Sequence, residues 1–271
     1  MSDAAIPTDV LRIDVGDAEL HTEITGEGPD LLLVAGLGGR GAFWSNQIQA
    51  FASHFRVITF DHRGCGNSTP GKLAEGVAHL ASDVVALMDA LEIGAAHLVG
   101  HSTGGAIGQQ IALEAPERLE KLVLSCSWPG PDAYFLELFR MRRAVLEQCG
   151  PLDYLSSGTF LAMPSRFLQP QIEAARSFME ERLAAFPGLA VELSRIEAVV
   201  SHNLRSQLHS INTATLCIGA MDDQLTPPAF SQEMAQLIPG AELHLLDHGG
   251  HFSPMSVPVV YNARVLEFLQ S

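Results

Sequence analysis

Residues 96–110 read AHLVGHSTGGAIGQQ, and this stretch decides the fold of the chain. Its apolar start, Leu98-Val99, predicts a buried strand, and the apolar spacing after Ser102 predicts a helix. A serine at a strand-to-helix turn, with glycine two residues to each side, is typical of a nucleophile elbow. Glycine suits Gly100 and Gly104 because strand and helix crowd together there. We therefore expect Ser102 to be a nucleophile at a helix N-terminus, which favours developing negative charge.

Composition narrows the class of protein. The 271 residues fit one α/β domain with an inserted subdomain, and 47% hydrophobic residues argue against disorder. A net charge of −15 makes a broad basic surface for nucleic acid or an anionic membrane unexpected. The four cysteines form no C-x-x-C pair, so we expect neither zinc nor a disulfide framework, and a reducing, cytoplasmic location. The N-terminus lacks an apolar signal core, and no run approaches the ~18 apolar residues of a membrane span.

Strand-like and helix-like segments alternate on both sides of the elbow. Strands are predicted at Leu11–Val15, Ala18–Thr25, Leu31–Val34, Val57–Phe60, Leu119–Ser125, Ala214–Ala220 and Glu242–Leu246. Helices are predicted at Ala42–Phe55, Ala78–Leu91, Ala229–Leu237 and Val257–Leu269. The first two strands suit a hairpin. The alternation indicates an α/β fold with a doubly wound, mostly parallel sheet.

The alternation stops between Pro129 and about Leu208. This block contains three helix-like segments, 132–149, 169–186 and 189–202, and prolines such as Pro151 are expected to break the helical pattern. It is too long for an ordinary connection between strands. We predict a helical cap over residues 129–208, set on a core of residues 1–128 and 209–271. The cap should cover the carboxyl edge of the sheet, where α/β proteins bind ligands.

A serine nucleophile needs a base and an acid that orients the base. His251 lies in the run Asp247–Phe252, just after the last predicted strand, on the same sheet edge as Ser102. We favour it over His248 as the base. Asp223 follows the preceding strand and is favoured over Asp222 as the acid, because Asp222 suits a turn. The chain order Ser, Asp, His is that of α/β-hydrolases.

Backbone amides are expected to form the oxyanion hole. One donor is the N–H of Thr103, directly after the nucleophile, and the other is the N–H of Leu37 in a glycine-rich loop, with Gly38 as the near alternative. Gly38 is also a candidate for substrate contact. A phosphate-binding loop is a poor reading because no G-x-x-x-x-G-K-[ST] motif is present. This chemistry requires no metal and no organic cofactor.

Candidate substrate contacts are tryptophans and cap arginines. Trp44 and Trp128 flank the expected pocket mouth, with core packing as the alternative for both. Most cap arginines should be solvated, but Arg142, Arg143 and Arg166 could each reach inward to pair with a substrate carboxylate. One inward arginine would imply an acidic substrate. The expected partner is a small-molecule substrate, and a homodimer stays open.

Five motifs together resemble the α/β-hydrolase superfamily over nearly the whole chain. They are Gly36-Leu37-Gly38-Gly39, Asp61-His62-Arg63-Gly64-Cys65-Gly66-Asn67-Ser68, Gly100-His101-Ser102-Thr103-Gly104-Gly105, Asp223-x-x-x-Pro227 and Gly249-Gly250-His251. Within the superfamily the chain is similar to small capped hydrolases such as aminoacrylate hydrolases and 3-oxoadipate enol-lactonases. One departure is Ala35, which stands where many relatives carry His before the oxyanion glycine.

The resemblance implies a serine hydrolase that cleaves a small carboxylic ester, lactone or related acyl bond through an acyl-enzyme. Three alternatives remain at this point. One is a C–N hydrolase of the enamine or acetamidomethylene-succinate type, in which water attacks directly and Ser102 matters less. The others are a C–C bond hydrolase of ring-cleavage products and a non-catalytic binding protein of the same fold. The cap sets the substrate, so membership of the superfamily does not identify it.

Overall fold

The computed structural model describes residues 6–271 and contains a sheet of eight strands. The strands are β1 (Thr8–Asp14), β2 (Glu19–Thr25), β3 (Asp30–Val34), β4 (Arg56–Phe60), β5 (Ala96–His101), β6 (Leu119–Ser125), β7 (Ala214–Ala220) and β8 (Glu242–Leu246). Their order across the sheet is β1-β2-β4-β3-β5-β6-β7-β8. β1 pairs antiparallel with β2, and β2 with β4, whereas all other neighbours are parallel. The prediction of a mostly parallel α/β sheet that starts with a hairpin is confirmed.

Eleven α-helices lie within the described residues. They are α1 (Ser45–Ala52), α2 (Gly76–Ala90), α3 (Thr103–Glu114), α4 (Ala133–Cys149), α5 (Pro151–Ala162), α6 (Ser165–Leu168), α7 (Ile172–Ala184), α8 (Leu189–Ser201), α9 (Pro228–Leu237), α10 (Ser253–Ser256) and α11 (Pro258–Gln270). Short 3₁₀ helices cover Gly41–Trp44, Pro116–Arg118, Gln169–Gln171 and Leu208–Ser210. Within residues 6–271, none of the helices has the length and apolar character needed to cross a membrane.

The central strands are buried on both faces. Alternate residues of β3 point to opposite sides, so Leu31 and Leu33 pack in one apolar cluster whereas Leu32 and Val34 pack in the other. This is why the strand reads as a continuous apolar run rather than as an alternation. Helices cover both faces, and the carboxyl ends of the parallel strands meet at one edge of the sheet.

A helical insertion, α4–α8, separates β6 from β7. Its helix α8 packs against α4 and against α2, which belongs to the sheet layer, so the insertion is fastened to the rest of the chain. The helical pattern is interrupted at Gly150 and Pro151, as expected, but Pro151 also begins α5, a helix that was not predicted. Proline suits the first turn of a helix, where its missing N–H would have no partner. The division into a core of 1–128 and 209–271 and a cap of 129–208 stays a prediction.

The elbow depends on the absence of a side chain at Gly104. This residue lies in the first turn of α3, where α3 crosses the end of β3. A Cβ atom added there would lie 2.0 Å from the carbonyl oxygen of Val34 and 2.9 Å from that of Ala35. Both oxygens belong to the backbone at the end of β3, so they cannot move away from the added atom as a flexible side chain would.

We expect Gly104→Ala to destabilise the protein by about 3 kcal/mol or more, the upper range for overpacking. For a chain of this size that corresponds to a melting temperature lower by roughly 6–12 °C. Thermal unfolding followed by circular dichroism measures it. The matched control is Gly94→Ala, since an added Cβ there meets open space and Gly94 has no left-handed φ. Equal melting temperatures for the two variants would contradict the packing argument.

Candidate active site

Ser102 occupies the turn between β5 and α3, as the elbow pattern predicts. Its φ is +54°, in the left-handed region that non-glycine residues rarely adopt. Hydrogen bonds hold this strained backbone: the Ser102 N–H donates to the Ser125 carbonyl at 2.8 Å, and the Ser127 hydroxyl donates to the Ser102 carbonyl at 3.0 Å. Ser102 lines a central cavity of about 420 Å³. The strained turn therefore presents the serine to this cavity.

Asp223 and His251 form a buried pair beside the same cavity. Asp223 follows β7 and His251 follows β8, and His251 Nδ1 donates to Asp223 Oδ2 at 2.9 Å. The other carboxylate oxygen accepts from the Leu225 N–H at 2.8 Å and the Thr226 N–H at 3.0 Å. Because Nδ1 carries the proton that Asp223 accepts, Nε2 is the basic nitrogen. His251 lines the cavity that Ser102 lines.

The structure separates the two neighbouring aspartates. Asp222 accepts from the Gly250 N–H at 2.8 Å and from Arg166 Nη2 at 2.7 Å, so it holds the loop that carries His251 without contacting the imidazole. Only Asp223, of the two, lies against His251. A carboxylate that touches Nδ1 can fix the tautomer and stabilise an imidazolium.

Thr226 is a site residue that the sequence reasoning missed. Its hydroxyl lies 2.8 Å from Asp223 Oδ2, 3.1 Å from His251 Nδ1 and 2.9 Å from the Cys126 carbonyl. A hydroxyl beside both members of the pair limits their movement. Its position directly before Pro227 was the available signal, but threonine is common in turns and the residue gave no reason to single it out.

His101 and Cys126 lie next to this pair without the properties of a base or a nucleophile. The ring of His101 stacks on Phe43 at 4.6 Å, and burial together with the charge of His251 holds its pKa well below the usual range. Burial and the charge of Asp223 raise the pKa of the Cys126 thiol well above its ordinary value. Both side chains therefore stay neutral.

Cys126, Asp223 and His251 are also the described residues whose ligand atoms lie close enough to hold a metal ion, within 4.8 Å of one another. A metal would need the Cys126 thiolate, whereas burial favours the protonated thiol. His251 Nδ1 is also engaged by Asp223. The donor set therefore fits proton transfer better than metal binding.

The candidate oxyanion donors line the same cavity, next to Ser102. The glycine loop, residues 36–39, follows β3 and closes in a tight turn in which the Gly39 N–H donates to the Gly36 carbonyl at 2.9 Å. A Cβ atom on Gly36 would lie 3.2 Å from Ser102 Cβ, so the loop packs directly against the serine. Leu37, Gly38 and Thr103 all line the cavity. Thr103 begins α3, where backbone N–H groups lack acceptors within the helix.

The helical insertion supplies the remaining walls of the cavity. Its contributions are aromatic and charged, from Phe135, Phe139, Arg142, Phe178, Arg182 and Glu192 among others. Of the predicted arginines, only Arg142 lines the cavity, and its side chain is nearly inaccessible, with the residue 7% exposed. Its guanidinium lies over the rings of Phe139 at 5.3 Å and Tyr154 at 4.9 Å.

Arg142 has no counter-ion among residues 6–271: no carboxylate lies within 4 Å of it, and its Nε is buried without a hydrogen-bond partner. Glu192, the nearby acid, instead accepts from the Tyr154 hydroxyl at 2.7 Å. Arg182 adds a second cation, and its desolvation together with the charge of Arg142 lowers the pKa of its guanidinium. Arg142 and Arg182 therefore place two neighbouring cations in a cavity that the carboxylates of Glu181 and Glu192 also line.

Four predicted substrate contacts lie elsewhere. Arg143 is 46% exposed and pairs with Glu147, and Arg166 is 53% exposed and pairs with Asp222. Trp44 and Trp128 are fully buried in the core and do not line the cavity. A helix turns about 100° per residue, so Arg142 and Arg143 face different sides of α4. Large aromatic side chains near a pocket mouth are equally suited to core packing.

Sequence comparisons agree with this architecture. A family profile described as the alpha/beta hydrolase fold matches residues 29–257. A protein of Variovorax paradoxus S110, named as the carbamate hydrolase RutD, is 38% identical over 256 residues, covering 92% of this chain and 96% of the relative. The protein of that name from Azorhizobium caulinodans is 35% identical over 253 residues, covering 93% of this chain and 96% of its own length.

Solved structures give the same result. A hydrolase from Pseudomonas aeruginosa PA01 superposes with a TM-score of 0.86 at 30% identity, covering 97% of this chain and 98% of that one. The enol-lactonase from Burkholderia xenovorans LB400 superposes with a TM-score of 0.86 at 27% identity, covering 96% of this chain and all of that one.

Proposed function

Because this chain belongs to the α/β-hydrolase family and is a hydrolase, we propose that it cleaves a small ester, lactone or related acyl bond through Ser102, His251 and Asp223. The observation that carries the proposal is the hydrogen-bonded Asp223–His251 pair in the cavity that the strained Ser102 also lines. An oriented base and a serine at a helix N-terminus are the parts that nucleophilic acyl transfer needs.

The reaction proceeds in two halves. His251 Nε2 takes the proton of Ser102 Oγ as the oxygen attacks the acyl carbon, and the N–H groups of Leu37 and Thr103 stabilise the oxyanion. The imidazolium, held by Asp223, then protonates the leaving group, which departs and leaves an acyl-serine. Water, activated by the same His251, attacks this ester, and the acid is released as Ser102 regains its proton. Turnover of a chromogenic ester by Ser102→Ala tests this route directly.

We also infer that the substrate carries a carboxylate. Arg142 is buried, lines the cavity and lacks a counter-ion among the described residues, and a second cation, Arg182, lies nearby. A buried charge without a partner is costly, so an anionic ligand would be bound strongly there. Planar guanidinium groups favour carboxylates in particular, because two parallel hydrogen bonds can form.

A second candidate reaction is hydrolysis of a C–N bond. Two relatives more than a third identical over nearly their whole length are named as carbamate hydrolases, and this supports it. In that reaction water could attack directly with His251 as its base. The two reactions then differ in how strongly they depend on Ser102.

We expect Arg142→Met to raise KM for mono-p-nitrophenyl succinate about 10- to 100-fold, since a charge-assisted hydrogen bond contributes roughly 1.5–3 kcal/mol. KM for p-nitrophenyl butyrate, which has the same chain length without the carboxylate, should change by no more than about twofold. Steady-state kinetics with both esters measure the effect. Arg143→Met is the matched control, because the neighbouring arginine faces solvent. Equal losses on the two esters would contradict a carboxylate site.

A further inference from the structure

Arg195 is a buried cation that reaches from the helical insertion to the glycine loop. It lies on α8 and is 1% exposed. Its Nε donates to the Leu37 carbonyl at 2.7 Å, and its Nη2 donates to the Gly36 carbonyl at 3.2 Å. Nη2 also lies 3.0 Å from His62 Nδ1. The guanidinium thus donates hydrogen bonds to two successive peptide units of the loop that follows β3.

Those two peptide units contain the candidate oxyanion donors. The described chain has no cis peptide bond, and in a planar trans peptide the C=O and N–H groups point in opposite directions. The Gly36 carbonyl shares its peptide plane with the Leu37 N–H, and the Leu37 carbonyl shares its plane with the Gly38 N–H. By holding the two carbonyls, Arg195 therefore fixes the direction of both N–H groups, which lie on the far side of the loop from it.

The residues around Arg195 preserve its hydrogen bonds to the glycine loop. His62 is buried, and desolvation and the charge of Arg195 hold its pKa well below the usual range, so its Nδ1 remains an acceptor. No carboxylate among residues 6–271 forms an ion pair with Arg195, so no acidic side chain competes with the two carbonyls for its hydrogen bonds. Hydrogen bonding to a peptide carbonyl polarises the unit and makes its N–H a stronger donor.

We propose that Arg195 is a positioning residue for the oxyanion hole, which it aligns and polarises from behind the glycine loop. This inference rests on the proposed acyl transfer at Ser102. Arg195 acts through the Leu37 and Gly38 amides and touches neither substrate nor nucleophile. Its contribution grows when negative charge develops on the acyl oxygen, so it belongs to the transition state rather than to substrate binding.

The test compares Arg195→Met, which removes all three contacts at similar volume, with Arg195→Lys, which keeps the charge. With p-nitrophenyl butyrate, we expect kcat of Arg195→Met to fall about 10- to 100-fold with KM within about twofold, because misaligned donors weaken only the transition state. Affinity for butylboronic acid, whose serine adduct places an oxygen in the oxyanion hole, should fall by the same factor. The kcat of Arg195→Lys should lie between that of Arg195→Met and that of the wild type. Arg176→Ala, on the exposed side of α7, is the control.

Each result has a definite meaning. A folded Arg195→Met with wild-type kcat, or with unchanged boronic acid affinity, would overturn the inference. If the methionine variant does not fold, Arg195→Lys decides, and an unchanged kcat in it would also overturn the inference. Ser102→Ala separates a failure of the proposed function from a failure of the role inferred for Arg195. Full turnover there would overturn the proposed function and this inference with it, whereas loss of turnover there with an unaffected Arg195→Met would overturn the inference alone.

Discussion

Ser102→Ala is expected to lower kcat for p-nitrophenyl butyrate by about 10⁴- to 10⁶-fold, the loss seen when a serine hydrolase is deprived of its nucleophile. The alanine variant keeps the glycine loop, the Asp223–His251 pair and Arg142. Its residual rate would therefore measure what binding and the oxyanion donors achieve with water as the only nucleophile. Release of p-nitrophenolate, followed by absorbance, gives the rate.

Two further measurements make this result specific. The matched control is Ser82→Ala, since Ser82 is exposed on α2 and its hydroxyl bonds only to the carbonyl of His79 in the same helix. Melting temperatures should be compared, because Ser102 has a left-handed φ and its backbone is held by Ser125 and Ser127. If Ser102→Ala retained a large share of the wild-type rate, the acyl-enzyme route would be wrong and direct attack by water, as in the C–N candidate, would be favoured.

The second large effect is expected from Asp223→Asn, which should lower kcat about 10⁴-fold. An asparagine amide can donate to His251 Nδ1, which would then carry no proton. The proton would move to Nε2, so the nitrogen that must accept the serine proton could no longer do so. KM should change little, because Asp223 is covered by His251 and Thr226 and does not line the cavity. Steady-state kinetics with p-nitrophenyl butyrate would show the split.

Asp222→Asn is the matched control for this experiment. The two aspartates are adjacent in the chain, but Asp222 bonds to the Gly250 N–H and to the exposed Arg166. An asparagine side-chain oxygen can still accept the Gly250 N–H, so kcat should stay within about tenfold of the wild type. The reverse ranking of the two variants would assign the orienting acid to Asp222.

The local sequence predicted the sheet well, and it also predicted where the candidate catalytic side chains lie in the sheet. Each central strand contains an apolar run and is followed within two residues by a polar residue or a glycine, and in a parallel sheet all such ends lie at one edge. This is why Ser102, Asp223 and His251 could be chosen from the sequence before any distance between them was known. Their catalytic roles remain proposals, but their placement follows from topology.

The walls of the cavity could not be predicted in the same way. Arg142 and Arg143 are chemically identical neighbours, and which of them faces inward depends on how α4 packs on α5 and α8. Thr226 was missed because threonine is common in turns. Arg195 was missed because the residues that it contacts are distant in the chain. Helix α5 was missed because proline at the first position of a helix looks the same in sequence as proline that ends one.

The contacts of Arg195 bear on protein engineering. The same inserted segment carries Arg142, which faces the cavity, and Arg195, whose hydrogen bonds hold the Gly36 and Leu37 carbonyls. A chimaera that exchanges α4–α8 for the equivalent segment of another hydrolase would therefore change the support of the glycine loop together with the walls of the cavity. If Arg195 has the role proposed above, such a graft needs a guanidinium at the same position to keep its catalytic rate.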